Sequence, residues 1–261
     1  MYATERQDQI MGRLEATGRV SVTELARAFD VTTETVRRDL DALEAVGALR
    51  RVHGGAVRWA TAAELRLDER ERTGRAAKRA IARAALELVP HTVPASIALD
   101  AGSTTAALVD LLLDWRPGSG EGVLDVITNA VPHILRLADN PRLAVHAVGG
   151  VVRPTTSAAV GATTIEALSR VRADVVFLGA NGVSAGFGLS TPDEREAGVK
   201  TALVRSARRR IALVDATKHG EESLLSFAAL ADLDTLVTDA PPPPELSRAL
   251  ADADVDVIVA S

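Results

Sequence analysis

The sequence contains no cysteine. That excludes disulfides, thiolate metal sites and a cysteine nucleophile, and it fits a reducing cytosol. Aromatic residues make up only 3% of the chain, too few to build the stacking platforms used on single-stranded nucleic acid. No apolar run reaches the ~18 residues of a membrane-spanning helix, and the polar opening residues lack a signal-peptide core, so a cytoplasmic protein is expected. The five histidines (53, 91, 133, 146, 219) are scattered without metal-ligand spacing. Each reads as structural or surface, and neither metal nor cofactor is expected. Lysine is scarce too, with three residues (78, 200, 218) among 30 basic side chains.

Charge is unevenly spread. The chain carries a net −5, but residues 1–79 hold 15 basic and 13 acidic side chains, and the remainder 15 and 22. A mildly basic head on an acidic body suits duplex DNA, with affinity resting on base contacts and dimerisation more than on bulk attraction.

Within the head, Val22–Phe29 reads as a short amphipathic helix, with Ser21 and Glu24 in capping-box spacing. Asp30-Val31-Thr32 follows as a tight turn, with Thr32 placed to cap a second helix. There Val36, Leu40 and Leu43 recur at i, i+4 and i+7, one buried stripe. The opposite face carries Glu34, Thr35, Arg37, Arg38 and Asp41. Arginine can bridge guanine O6 and N7, threonine can touch a thymine methyl, and glutamate can accept from cytosine N4. A solvated polar face on an ordinary three-helix domain has the same composition; the capped helix and short turn before it favour a helix-turn-helix. Ala48–Arg58 then reads as two short strands joined by a basic glycine turn. This wing sets Arg50, Arg51 and His53 against phosphates. The DNA-facing set is thus Ser21, Thr32, Thr33, Glu34, Thr35, Arg37, Arg38, Arg50, Arg51 and His53.

Residues 59–74 lack a clear apolar stripe and read as a linker, partly helical. Beyond it, short apolar strands (96–99, 124–128, 143–148, 175–178, 211–214, 235–237, 255–259) alternate with helices (75–88, 104–114, 131–138, 163–171, 191–207, 245–251). That alternation predicts an α/β domain with a mostly parallel sheet over 75–261, behind a winged helix-turn-helix at 1–58. Ligands of such sheets bind beyond the carboxyl ends of strands. Asp100-Ala101-Gly102-Ser103-Thr104-Thr105 follows the first strand and opens a helix, where glycine, hydroxyls and backbone N–H groups favour an anion, a phosphate above all. A helix cap with no ligand reads the same way. Further clusters end the next strands: Thr128-Asn129, Gly149-Gly150, Gly179-Ala180-Asn181-Gly182 and Asp215-Ala216-Thr217-Lys218. They converge on one rim, and no dinucleotide fingerprint is among them. Lys218 in the last cluster, and Lys200 on the helix after Gly186-Phe187-Gly188, stand out where arginine serves nearly every other charge.

Residues 5–58 resemble the N-terminal domain of the DeoR family of bacterial transcription regulators. The resemblance rests on Arg6, Ile10 and Leu14, then Thr32, Thr35–Leu40 and the HGGAV wing. DAGSTT, TN, GG, GANG with GFGLST and Lys200, DATKHG and VTD carry the likeness across roughly 75–239. It implies a body similar in fold to ribose-5-phosphate isomerase that binds a phosphorylated sugar or related metabolite, and a homodimer or homotetramer acting as a repressor on operator DNA. By position, Asp100, Gly102, Ser103, Thr104 and Thr105 hold the phosphate end, and Asn129, Gly149, Gly150, Asn181, Lys200 and Lys218 complete the pocket. The loop at Trp115–Gly122 is longer than the family pattern. The competing expectation is an isomerase with an appended head. Isomerisation needs a carboxylate base, and Gly179–Gly182 supplies an amide and glycines instead, although Asp193, Glu194 and Glu196 follow closely.

Overall fold

A computed structural model describes residues 3–17, 19–45, 48–52, 54–58, 66–118 and 121–261. The chain divides into two compact units, Met1–Glu64 and Leu65–Ser261.

The first unit runs α1 (Ala3–Thr17), β1 (Arg19–Ser21), α2 (Val22–Phe29), α3 (Thr33–Ala45), β2 (Leu49–Val52) and β3 (Gly55–Arg58). Ile10 and Leu14, one turn apart on α1, close a core with Leu25 of α2 and Val36, Leu40 and Leu43 of α3. Asp30 ends α2 in the left-handed region, φ 52°, and Thr32 Oγ1 caps α3 by accepting the Thr35 N–H at 3.1 Å. The side-chain cap expected of Ser21 does not form. Ser21 is held extended in β1 opposite Gly55, and the first amide of α2, Val22 N–H, donates to Gly54 O at 2.9 Å. The wing's backbone therefore satisfies the first amide of α2, and no side chain caps the later ones. Its sheet, ordered β1-β3-β2, requires both glycines of HGGAV. Gly54 has φ +81°, and a Cβ on Gly55 would lie 2.1 Å from Val20 O.

The second unit begins inside the expected linker. Leu67 opens α4 (Leu67–Arg72), is buried, and donates its N–H to Thr155 O at 2.9 Å. There follow α5 (Arg75–Leu86), β4 (Ala95–Leu99), α6 (Ser103–Leu112), β5 (Leu124–Thr128), α7 (Val131–Leu137) and β6 (Leu143–Ala147). A hairpin of β7 (Val151–Arg153) and β8 (Ala158–Val160) leads to α8 (Ala162–Ser169) and β9 (Ala173–Gly179). Next come β10 (Gly182–Ser184), β11 (Gly188–Thr191), α9 (Glu194–Arg205), β12 (Ala207–Leu213), β13 (Leu225–Ala228), β14 (Thr235–Thr238), α10 (Pro244–Asp252) and β15 (Asp256–Val259).

Seven strands form one parallel sheet, β15-β14-β12-β9-β4-β5-β6. Both faces are covered. One core sets α5 and α6 against Ile97, Leu99, Phe177 and Leu213; the other sets α8, α9 and α10 against Ala98, Val176, Leu178 and Leu236. Such double burial is why these strands read as continuous apolar runs. The helix expected over 191–207 starts only at Glu194, because Gly188–Thr191 pairs between β10 and β13 and Asp193 caps α9.

Candidate functional site

On α3, Thr33, Glu34, Arg37 and Arg38 face solvent, and Thr35 is half-buried. The Arg38 side chain is 79% exposed and that of Arg37 54%. Each lies 3.5–3.9 Å from Glu34, exposed pairings of little strength that a duplex can displace. Thr32 is exposed and shares a 2.9 Å hydroxyl contact with Thr35. Two residues expected at DNA are otherwise engaged. Ser21 is half-buried in β1. Arg51 forms an ion pair with Asp41 of α3 and gives its N–H to Glu44 Oε1 at 2.8 Å, so it braces the wing on α3. The Arg50 side chain and His53 lie outside the described residues.

A further pair matters here. Arg6 and Asp39 are both buried and joined side chain to side chain, one of the two bonds measuring 3.0 Å. Asp39 sits beside the exposed Arg38, so this link to α1 sets how α3 presents its outer face. The sequence pattern contained both residues, but nothing local revealed that they meet.

In the body, the registers align Leu99 with Thr128 and Phe177, Thr128 with Ala147, and Gly179 with Leu213. The residues just after these strands therefore share one rim. Strand order reverses at β4, whose chain path leaves through β5 and returns at β9, and such a switch point opens a crevice at the strand ends. Asp100 and Gly179 end the two strands that flank it. Asp100, 2% exposed, accepts the Gly179 N–H at 3.0 Å and pairs with Lys200 Nζ. Lys200, equally buried, also donates to Gly179 O at 2.9 Å and sits 5.2 Å from the Phe227 ring centre.

Two openings flank the Asp100–Ser103 turn. The outer cavity, about 140 Å³, is lined by Ser103 at the start of α6 together with Arg75, Lys78, Arg79 and Arg136. Two acids, Glu71 and Asp110, also line it, and Asp110 is paired with Arg136. The cavity runs from Ser103 along α6 past Ala106 and Ala107 to Asp110, and four cations against two acids leave it net positive and attractive to an anion. Lys78 is its buried member. It donates to Arg70 O and to Thr73 O, the latter at 2.8 Å. Burial pushes its ammonium below the ordinary lysine range, Asp215 opposes that, and the charge of Lys218 adds to it. The lysine scarcity set Lys200 and Lys218 apart but not Lys78, and Arg75, Arg79 and Arg136 sit on ordinary amphipathic helices and carried no local signal. The inner chamber, about 10 Å³, is lined by Asp100, Asn129, Glu196 and Lys200 among others.

Not every residue expected at the ligand reaches either opening. Thr105 is fully buried, and its hydroxyl is occupied by Asp100 O, Gly102 O and the Gly102 N–H, all at 2.8–2.9 Å. It locks the turn. Thr104 is buried, 7% exposed, and Gly102 lies in the turn where α6 passes close to Gly179. Gly149 accepts Thr164 Oγ1 at 2.9 Å, and a Cβ on Gly150 would meet the same oxygen at 2.1 Å. Gly150 thus answers to packing against α8, whereas a Cβ on Gly149 would meet nothing within 4 Å. Asn181 turns its side-chain oxygen to Thr191 at 3.3 Å. Lys218 is half-buried in a short 3-10 turn, Ala216–Lys218.

Of the three acids near α9, Glu194 is exposed and the other two are engaged. Arg153 of β7 lies 3.1 Å from both Asp193 and Glu196, and Thr156 Oγ1 donates to Glu196. Burial acts to raise the Asp193 pKa, but bonds from Arg195 and the Glu196 amide, with the charge of Arg153, hold it below the usual carboxylate range.

With this geometry in place, two family matches cover nearly the whole chain. The DeoR-like helix-turn-helix domain matches residues 6–61, and the DeoR C terminal sensor domain residues 74–240. The chain belongs to the DeoR family. This DeoR-family protein is 34% identical over 244 residues to FruR of Bacillus subtilis, an uncharacterized HTH-type transcriptional regulator, covering 92% of each. Against the glycerol-3-phosphate regulon repressor of Escherichia coli it is 28% identical over 254 residues, 97% of each. Ribose 5 phosphate isomerase A from Neisseria gonorrhoeae aligns with a TM-score of 0.37 and 17% identity, over 56% of this chain and 54% of that one; a likeness this weak carries no conclusion. Membership makes the protein a DNA-binding transcriptional regulator whose body is a sensor domain. No helix among the described residues is long and apolar enough to cross a membrane.

Proposed function

We propose that the protein is a repressor of sugar-metabolism genes whose hold on operator DNA is weakened by a phosphorylated sugar. The observation that carries this reading is the cationic cavity at Ser103, set beside the switch-point turn of a chain whose head exposes Arg37 and Arg38. The phosphate sits at the α6 N-terminus among Arg75, Lys78, Arg79 and Arg136, and the carbon chain extends toward Asp100, Asn129 and Lys200. Two heads in a homodimer or homotetramer read adjacent half-sites, with α3 in the major groove. The ligand can shift DNA affinity only by its differential affinity for the two states. The name of one relative, the glycerol-3-phosphate regulon repressor of Escherichia coli, supports the same direction.

A binding role without turnover is part of this proposal. Proton transfer between carbons requires a free carboxylate at the substrate, whereas Asp100 is paired with Lys200, both Asp193 and Glu196 with Arg153, and the exposed Glu194 lines neither opening. Fluorescence titration of the full chain against sugar phosphates, with and without operator duplex, tests the whole scheme. Ser103→Asp, which adds a negative charge to the cavity, is expected to abolish the response to every phosphorylated ligand while leaving operator binding intact. An unchanged titration removes the phosphate assignment, and isomerase turnover by the purified protein revives the enzyme.

A further inference from the structure

We propose that the inner chamber is a selectivity subsite for one hydroxyl group of the ligand, with Asn129 Oδ1 as the acceptor that reads it. This rests on the phosphate lying in the outer cavity at Ser103.

Asn129 is 2% exposed, and its Nδ2 donates to Ala159 O at 2.8 Å, which fixes the orientation of the amide. Its Oδ1 is then left buried with no hydrogen-bond partner. A native interior seldom leaves such an acceptor unanswered. This one borders a chamber of about 10 Å³, room for a single water-sized group.

The neighbouring charges narrow the chemistry of that group. Asp100 is neutralised by Lys200, and Glu196 by Arg153 with a further bond from Thr156. A cationic donor finds no unpaired carboxylate. A carboxylate on the ligand has no hydrogen to give Asn129, and a methyl group leaves the orphan as it was. A neutral donor of one heavy atom satisfies the site: a water when no ligand is bound, and an alcohol of the ligand in its place. Lys200 has two of its three N–H bonds committed, to Asp100 and Gly179 O, and keeps one for the oxygen of that alcohol.

The spacing suits a sugar phosphate. Asp100 borders the inner chamber and Ser103 the outer cavity. Three residues of chain span at most about 11 Å, within reach of a five- or six-carbon phosphate. The strap over the chamber is β8, tied to the Asn129 loop by Ala159 N–H on Asn129 O at 2.8 Å and by Val131 N–H on Ser157 O at 3.0 Å. Filling the chamber therefore bears on a hairpin that Arg153 joins to α9.

The test is calorimetric titration of the full chain with inorganic phosphate, with pentose and hexose phosphates, and with singly deoxygenated partners of each. At one carbon, loss of the hydroxyl is expected to weaken binding by roughly tenfold or more, because a buried polar group is then left unpaired. In Asn129→Leu that difference between the sugar phosphate and its deoxy partner should vanish. A deoxy series with no sensitive position overturns the proposal, as does an equal penalty in Asn129→Leu. So does a panel in which no sugar phosphate binds more tightly than inorganic phosphate. Should the variant fail to fold, the deoxy series on the unaltered chain still decides. Absence of any inorganic phosphate binding would instead strike at the outer cavity, which keeps the two readings separable.

Discussion

Single side chains carry the chemistry of both units, and some of them set stability as well. His133 is fully enclosed on α7, and neither ring nitrogen has a hydrogen-bond partner. Burial lowers its pKa from 6.5 to about 4, against a pull upward from the Asp100 charge. Between those values the unfolded chain binds a proton that the folded chain refuses. Stability is therefore complete above pH 6.5 and falls as the pH drops toward 4, by about 2 kcal/mol at pH 5 from this group alone. Urea unfolding at pH 7.5 and pH 5 should show a pH penalty smaller by that amount in His133→Leu; an unaltered penalty would contradict the buried neutral ring. On the DNA face, Arg37→Ala is expected to cost roughly 1–3 kcal/mol on an operator selected from random duplexes and to relax preference at one base pair. Equal losses on unrelated DNA would mean that Arg37 touches only phosphate. Little of this was legible beforehand. Arg37 and Arg38 stood out by helical position, a local property, whereas a histidine gives no sign in its own neighbourhood of whether a ring nitrogen will find a partner.

At the scale of elements, the recognition helix is positioned by a buried charge pair and not by its apolar stripe alone. Asp39→Ala removes the counter-charge that joins α3 to Arg6 of α1 and is expected to destabilise the head by roughly 3 kcal/mol or more. The double replacement Arg6→Met with Asp39→Leu should recover most of that stability, yet still blunt operator preference if the pair sets the angle of α3. Thermal melts and operator titrations on the two variants separate these effects. Helices and buried strands of five or more residues were legible because burial period is written into consecutive residues. The three-residue strands β1, β7, β8 and β10 were not, since so short a stretch shows no period. Ser21 failed as a cap for a related reason. A backbone carbonyl from Gly54, far along the chain, reached the helix start instead.

For the whole molecule, the boundary at 64/65 puts every residue of both openings in the second unit. A chain of Leu65–Ser261 is expected to bind sugar phosphates within about threefold of the full protein, since all the residues lining both openings come from it. It should bind no operator. Calorimetry and gel-shift on that fragment check both points, and loss of ligand binding would mean that the head completes the pocket.

Composition, periodicity and the family motifs were enough to establish a winged head, an α/β body and a rim of strand ends, because each reflects which residues alternate between water and core. The tertiary structure alone decided which groups on that rim remain available. It locked the Thr105 hydroxyl into a turn, gathered Arg75, Lys78, Arg79 and Arg136 around Ser103, and joined Asp100 to a lysine 100 residues away. Hydrogen bonds and ion pairs depend on distances of about 3 Å through space, and separation along the chain does not encode them.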